Sequence, residues 1–284
     1  MTSSTEALYA TLCALPERPL RAQGARLVQE VWSRLPKGGS TFAGSSRGSA
    51  GRLAAMDASE GLLAVETAAF SNAFRYAGLL CETGSPAHSA AKRACVGAAV
   101  FAASALAEAR GLECGTLFHA VGVAIEAYAR LAEELCSGAR SRGFDAGVIS
   151  TTLAAIIACA VIEKLQPDKA AQALGLGSSA VTASAVGYLP LQIATAARDG
   201  VVMALLMSCG FRGPPDALAC RWGIHEVFTD GNATDVAARG AKPRNAEVAG
   251  DVLCLFGEAH AATEASPDSL ASMPVSVFLK EVAQ

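Results

Sequence analysis

The side chains able to do chemistry in this chain are few and widely spaced. Its four histidines, His88, His119, His225 and His260, form no His-x-x-x-His pair and have no cysteine in register, which argues against a metal site. Its nine cysteines, Cys13, Cys81, Cys95, Cys114, Cys136, Cys159, Cys209, Cys220 and Cys254, stand singly with no Cys-x-x-Cys pair. Several lie in apolar helical runs, where cysteine behaves as a small hydrophobe, so reduced and buried thiols are expected rather than a disulfide framework. No Gly-x-Gly-x-x-Gly and no phosphate loop occurs. That leaves single acids and bases. A carboxylate in an apolar pocket holds its proton more tightly and becomes suited to general acid or base work. Asp145, after Gly143 and Phe144, stands where it could cap a helix beginning near Gly147. Glu82, in a turn-forming stretch ahead of Pro86, reads from the sequence alone as a solvated loop residue. His119, inside an amphipathic pattern, reads as a core or interface residue, and His225 and His260 read as peripheral.

Composition says what kind of scaffold must position these groups. Of 284 residues, 52% are hydrophobic, 17% charged and 6% aromatic, with alanine dominating the apolar share. Charged residues fall well below the usual quarter. Such a chain must bury much of itself, which excludes ordinary disordered and nucleic-acid-binding proteins. With 26 acidic and 23 basic side chains the net charge is −3, so no broad attraction draws in DNA, RNA or anionic lipid. The length accommodates one large domain, or a domain with an appended piece. The start, MTSSTEALYATLCALPERP, has no basic segment ahead of an apolar core as a secretory signal would, and a cytoplasmic location is expected. Two charge-free runs, 146–162 and 170–197, raise the question of a membrane. The first is short for a span and the second is broken by Gly175, Gly177, Gly187 and Pro190, so both read as buried helices of a bundle, with no membrane partner.

Apolar periodicity then places the elements. Leu20, Ala22, Leu27, Val28 and Val31 keep helical spacing within residues 1–35. Residues 37–51, KGGSTFAGSSRGSAG, read as a flexible linker between helices or a mobile loop beside a site. Helical patterns resume over 52–73 and break at 82–86. They return over 90–110 ahead of Gly111, over 115–136 ahead of Gly138, and from near Gly147 to Leu165 ahead of Pro167. Asp168 is expected to cap a short helix ended by Gly175 and Gly177, and 194–209 form one more helix. With no alternating strand pattern and no β-α repetition, the expected fold is all-α, a large Ala-rich helical bundle. After Phe228 the composition turns polar, so a boundary is expected near residue 230, between a helical domain (1–229) and a short C-terminal appendage (230–284).

Three segments carry a family resemblance. Gly143-Phe144, the run LAAIIACAVIEKLQPDKAAQALGLGSS (153–179) and the run TAARDGVVMALLMSCGFRGP (195–214) resemble the MmgE/PrpD family of 2-methylcitrate dehydratase, cis-aconitate decarboxylase and related cofactor-independent enzymes. AAFSNAF (68–74), LAEARG (106–111) and IEAYARL (125–131) resemble further helices of the family, in its order and spacing. The resemblance implies an all-α domain that in the family carries a smaller α+β lid, here missing or reduced to residues 230–284. It also implies a small-molecule substrate, no cofactor and a homodimer formed through the helical domain.

Family chemistry removes a proton next to a carboxylate and expels hydroxide or carbon dioxide. The family's Asp-x-Asp-Asp cluster falls on Leu80, Cys81, Glu82 and Thr83, where only Glu82 keeps an acid. Its His-Pro falls on Ala94 and Cys95, and its Gly-Phe-His turn has Asp145 in place of histidine. Its Lys-x-x-His segment has Leu189 and Gln192, a change that removes an anion-binding charge. His88 could supply the lost imidazole. Tyr188 and Gln192 lie where the family lines its pocket, and Arg198 keeps a basic position that could hold a carboxylate or make a structural salt bridge. The resemblance therefore implies Glu82, Asp145 and His88 as catalytic positions, and Tyr188, Leu189, Gln192 and Arg198 as substrate-binding ones. The function it implies is a lyase or isomerase/cyclase of a specialised-metabolite pathway. Such an enzyme would carry out isomerisation, dehydration or cyclisation by proton transfer on a carbonyl compound more apolar than citrate. An inactive paralogue that binds a ligand or partner subunit is the alternative, and literal 2-methylcitrate or cis-aconitate chemistry is a third reading.

Overall fold

A computed structural model of the chain describes residues 3–35, 61–82, 87–181, 184–229 and 267–282. The Gly- and Ser-rich stretch 37–51, residues 52–60, Cys254, His260 and the boundary expected near residue 230 lie outside them. The helices in chain order are α1 (Ser4–Cys13), α2 (Glu17–Ser33), α3 (Gly61–Glu82), α4 (Ala87–Ala109), α5 (Cys114–Ala139) and α6 (Ala146–Ile162). They continue with α7 (Pro167–Ser178), α8 (Leu189–Ser208), α9 (Ile224–Phe228), α10 (Pro267–Leu270) and α11 (Val275–Val282). Among the described residues there is no strand, only the isolated bridges Glu113 to Pro274 and Phe144 to Ser184. The all-α reading holds.

Helix α6 is the axis of the bundle. Every residue from Val148 to Ala160 is buried, and α4, α5, α7 and α8 enclose it. A helix apolar on every face has no other stable place in a globular fold. Its polar residues are satisfied locally: the hydroxyls of Ser150 and Thr151 each donate to a carbonyl one turn back, those of Ala146 and Gly147, both at 2.7 Å. Helix α8 is long and apolar enough to cross a membrane by length and composition alone, but most of it is buried against α3, α4, α6 and α7. Small residues allow these helices to approach closely; a side chain on Gly200 of α8 would stand 2.8 Å from the backbone of Ala155 on α6. One aromatic cluster forms where α2, α3 and α4 meet. There the ring of Phe101 takes Trp32 and Tyr76 edge-on at 5.0 and 5.6 Å, and the Trp32 indole donates to Ser104 Oγ at 3.0 Å.

Several helix ends differ from the sequence reading for local reasons. Gly138 does not end α5; the helix continues through a 3-10 turn, Arg140–Arg142, and stops at Gly143, whose φ of 81° only glycine adopts readily. Gln166, not Asp168, stands at the N-cap of α7, with Pro167 in the first turn and Asp168 beside the positive end of the helix dipole. Gly175 and Gly177 stay inside α7, because side chains there would strike Pro214 O and Ile156 Cδ1. Helix α8 starts at Leu189 rather than near 194, since Pro190 sits in a first turn where its missing N–H is not needed. Residues 267–282 pack onto α2, α4 and α5. The amides of Cys114 and Gly115 donate to Met273 and Ala271 carbonyls at 2.8 Å each, and Phe278 lies edge-on to Phe118 at 5.4 Å.

The described cysteines are all free, but they are not uniformly buried. Cys95, Cys114 and Cys159 lie in the core, while Cys13, Cys81, Cys136, Cys209 and Cys220 are exposed. Four of the exposed ones fall in or beside the last turn of a helix, where the apolar stripe runs out. His225 is likewise not peripheral: α9 turns it inward against α5, with Nε2 3.8 Å from Glu134 Oε1.

Candidate functional site

The amino-terminal end of α6 is built by the turn before it. Gly143 reverses the chain in a left-handed conformation, Phe144 N–H donates to the Ala139 carbonyl, and the Phe144 ring packs edge-on against Phe228 at 4.8 Å. Asp145 is thereby left extended at the N-cap, where its Oδ1 accepts from the amides of Gly147 (2.8 Å) and Val148 (3.2 Å). Two of the four amides that a helix start leaves without partners are satisfied this way. The side chain is exposed, so one carboxylate both caps α6 and faces solvent.

Beneath it lie two groups that sequence reasoning did not single out. A side chain on Gly147 would meet Asp145 Oδ1 at 3.0 Å, Tyr128 Oη at 3.3 Å and Cys95 Sγ at 3.9 Å as its nearest neighbours. Three polar atoms, from the α6 cap, α5 and α4, thus surround one glycine. The Cys95 thiol donates to the Gly147 carbonyl at 3.7 Å and shares a hydrogen bond with the Tyr128 hydroxyl. Burial pushes the thiol up to about 12 and the phenol well above the usual tyrosine range, so both keep their protons. One signal was available for Cys95, its place at the family's His-Pro. Tyr128 is hidden in the IEAYARL helix, where a tyrosine reads as packing.

A second turn joins this one. Ala185 N–H donates to the Gly143 carbonyl at 3.0 Å, and Phe144 bridges to Ser184. Gln192, buried on α8, donates from Nε2 to the Ser184 carbonyl at 3.0 Å and braces the turn leading to Tyr188. Tyr188 is the N-cap residue of α8; its side chain is 64% exposed, with its ring 6.2 Å from that of Phe74 on α3. Leu189 is partly buried against the core, while Val186 and Leu191 are exposed and give this surface an apolar character. The structure therefore brings Asp145, Tyr188, Leu189 and Gln192 to one end of the bundle.

The other expected positions stand apart from these contacts. Arg198 lies further along α8 and is half exposed; its guanidinium grips Asp199 Oδ1 from Nε (3.0 Å) and Nη2 (2.8 Å), the structural salt bridge rather than an open anion site. Burial raises the Asp199 carboxyl above its ordinary value against the opposing pull of Arg198. Glu82 is the last residue of α3 and exposed, not part of a loop. His88 is the second residue of α4, and its side chain lies outside the described part. A groove of about 440 Å³ lined by Glu17, Arg21, Glu113, His119 and Lys164 lies at the opposite end of α5 and α6 from Asp145. Among the described residues no group of acids, histidines and cysteines could hold a metal ion.

The sequence model of the MmgE/PrpD N-terminal domain matches residues 58–237, well over half of the chain. The matched span takes in α3 through α9, and with them every residue of the α6 and α8 turns. No curated protein matches the chain.

Proposed function

The chain belongs to the MmgE/PrpD family, and from that premise we propose that it is a cofactor-independent enzyme, a lyase or isomerase/cyclase that moves a proton on a carbonyl-containing small molecule. The observation that carries the reading is Asp145. It stands where the family turn has a histidine, and two backbone amides hold it in a fixed, solvent-facing position at the head of the central helix. A base fixed before its substrate arrives loses little entropy in the reaction.

Asp145 takes the proton next to the carbonyl, and Tyr188, Leu189 and Gln192 border the approach. Glu82 at the end of α3 and His88 at the start of α4 complete the acid–base set. Val186, Tyr188 and Leu191 are exposed apolar neighbours, and the basic Arg198 is engaged by Asp199. That combination favours a substrate more apolar than a tricarboxylate, as in specialised metabolism. The same proposal places the protein in the cytoplasm as a homodimer, with residues 1–229 as the helical domain and 230–284 as an appendage in place of the lid. Sedimentation giving only monomer at low concentration would contradict the dimer.

A second reading, an inactive paralogue that binds a ligand or partner subunit, draws on a different observation. Asp145, Gln192 and Arg198 are each bonded within the chain already, in roles that need no substrate. Incubation in D₂O with a panel of ketones and 2-oxo acids, alongside citrate, cis-aconitate and 2-methylcitrate, separates the readings. Deuterium entering next to a carbonyl, and lost in Asp145→Asn or Glu82→Gln, supports the enzyme. Exchange unchanged in both variants, or absent from the whole panel, defeats the assignment. Turnover of the three acids alone would favour the family's literal chemistry.

A further inference from the structure

We infer that the groove between α2, α5, the end of α6 and the turn after α10 is a binding site for a free amino acid, whose carboxylate pairs with Lys164 and whose ammonium pairs with Glu113. The groove lies at the opposite end of α5 and α6 from Asp145, so the inference stands apart from the reading of Asp145 as a base.

Four segments enclose a space of about 440 Å³, a size within the range of small-molecule sites. Glu17 and Arg21 come from α2, Glu113 and His119 from the start of α5, Lys164 from just past α6, and Ser272 from the turn after α10. Two acids and two bases therefore face one groove, but only one pair of them is closed: Glu17 and Arg21 form a salt bridge one helical turn apart. Among the described residues, Lys164 and Glu113 make neither an ion pair nor a side-chain hydrogen bond, with each other or with any other group. Burial lowers the proton affinity of His119, so its imidazole is neutral at pH 7 and adds no charge to this balance.

Neither open charge is spent on the local structure around it. Glu113 stands at the N-cap of α5 without a capping bond, and the amides of Cys114 and Gly115 are instead taken by the carbonyls of Met273 and Ala271 at 2.8 Å each. Lys164 has a φ of 52°, a left-handed position beyond a helix end that glycine fills at less cost. A lysine there gives up backbone stability for a side chain that no described group engages.

The charge pattern selects the ligand. A simple anion drawn to Lys164 meets the Glu113 carboxylate, and a simple cation drawn to Glu113 meets the Lys164 ammonium. A molecule that carries both signs on one carbon satisfies the two together and leaves no like charges facing. The α-carboxylate and α-ammonium of an amino acid are such a pair. The hydroxyls of Thr116 and Ser272, which line the same groove, suit a polar side chain.

The test titrates L-glutamine into the full-length protein by isothermal calorimetry, beside two relatives that each lack one charge: N-acetyl-L-glutamine, without the ammonium, and L-glutaminamide, without the carboxylate. Saturable binding of L-glutamine is expected, weaker by about tenfold or more for each relative, the cost of one lost charge-assisted hydrogen bond. Glu113→Gln should weaken L-glutamine by a similar factor. Lys164→Gly should do the same without lowering the urea midpoint, since glycine suits the left-handed backbone, and loss of binding in that variant is then not loss of the fold. Asp145→Asn should bind L-glutamine as the wild type does. No saturable binding of L-glutamine, equal binding of either relative, or binding unchanged in Lys164→Gly or Glu113→Gln overturns the inference.

Discussion

Gly24 of α2 and Gly122 of α5 cross with their backbones in contact. A side chain on Gly24 would stand 1.8 Å from the Phe118 carbonyl oxygen and 3.0 Å from Gly122 N, and one on Gly122 would stand 2.2 Å from the Leu20 carbonyl oxygen. The obstacles are backbone atoms on both sides, so neither helix can yield by a rotamer change. Gly24→Ala and Gly122→Ala are therefore expected to destabilise the fold by at least about 1–3 kcal/mol, the usual penalty of an overpacked core. The gain in helix propensity from alanine, about 1 kcal/mol, offsets only part of this. Urea unfolding of the two variants and the pair measures it, and the double variant should cost less than the sum because both changes relieve one contact.

Asp145 carries two roles that a single substitution can separate. Asp145→Ala removes the cap and should cost about 1 kcal/mol of stability. Asp145→Ser keeps an oxygen able to accept from the Gly147 and Val148 amides but has no basic carboxylate, so stability should stay within a few tenths of a kcal/mol of wild type. Deuterium exchange next to a carbonyl should be lost in both. A serine variant as stable and as active as wild type would reduce Asp145 to a cap.

The fold was legible in the sequence because it rests on repetition. The apolar face of α2 at Leu20, Leu27, Val28 and Val31 and the all-apolar run of α6 each announce a helix many times over. Ends were harder to place: Gly143 and Pro167 set two of them locally, past the signals of Gly138 and Asp168, and Gly175 stays inside its helix against Pro214. At the site the difficulty changes. Asp145 was visible because it follows a glycine turn, whereas Tyr128 and Cys95 lie on helices where those residue types ordinarily pack. Only the convergence of α4, α5 and α6 on Gly147 distinguishes them, and periodicity along one helix holds no information about which face meets which neighbour. The inward orientation of His225 is hidden from the sequence for the same reason.

Thiol reactivity reports the burial pattern directly. Cys13, Cys81, Cys136, Cys209 and Cys220 are exposed and should react with a thiol reagent in the native state, whereas Cys95, Cys114 and Cys159 should react only on unfolding. Burial raises the Cys95 thiol to about 12, which leaves almost no thiolate at neutral pH even if reagent reaches it. Mass-spectrometric mapping of labelled peptides before and after denaturation checks the division. Native labelling of Cys95 at the rate of Cys220 would contradict the packing of α4 against α6.

His225 makes the stability pH-dependent, with a sign fixed by its burial. It lies inward from α9, 3.8 Å from Glu134 of α5, with Asp216 also close enough to favour its charged form. Burial outweighs that attraction and lowers its proton affinity below the ordinary histidine value. A folded-state value below the unfolded one means that the unfolded chain binds the extra proton first as the solution is acidified. The contribution of neutral His225 is present in full above the unfolded value of about 6.5 and is lost as pH falls through the folded one. His119 is shifted in the same direction, again chiefly by burial, and adds to the same acid limb. Each can steepen the loss by at most about 1.4 kcal/mol per pH unit. Arg142 anchors the same segment by donating to the Glu226 and Thr229 carbonyls at 3.0 and 2.6 Å, so protonation of His225 should loosen α9 before the bundle unfolds. Urea midpoints measured between pH 7.5 and 5 should decline in the wild type and decline less in His225→Asn. Equal slopes in the two proteins would mean that the folded and unfolded chains bind the His225 proton alike, and a shallower decline in the wild type would mean that Glu134 and Asp216 outweigh burial.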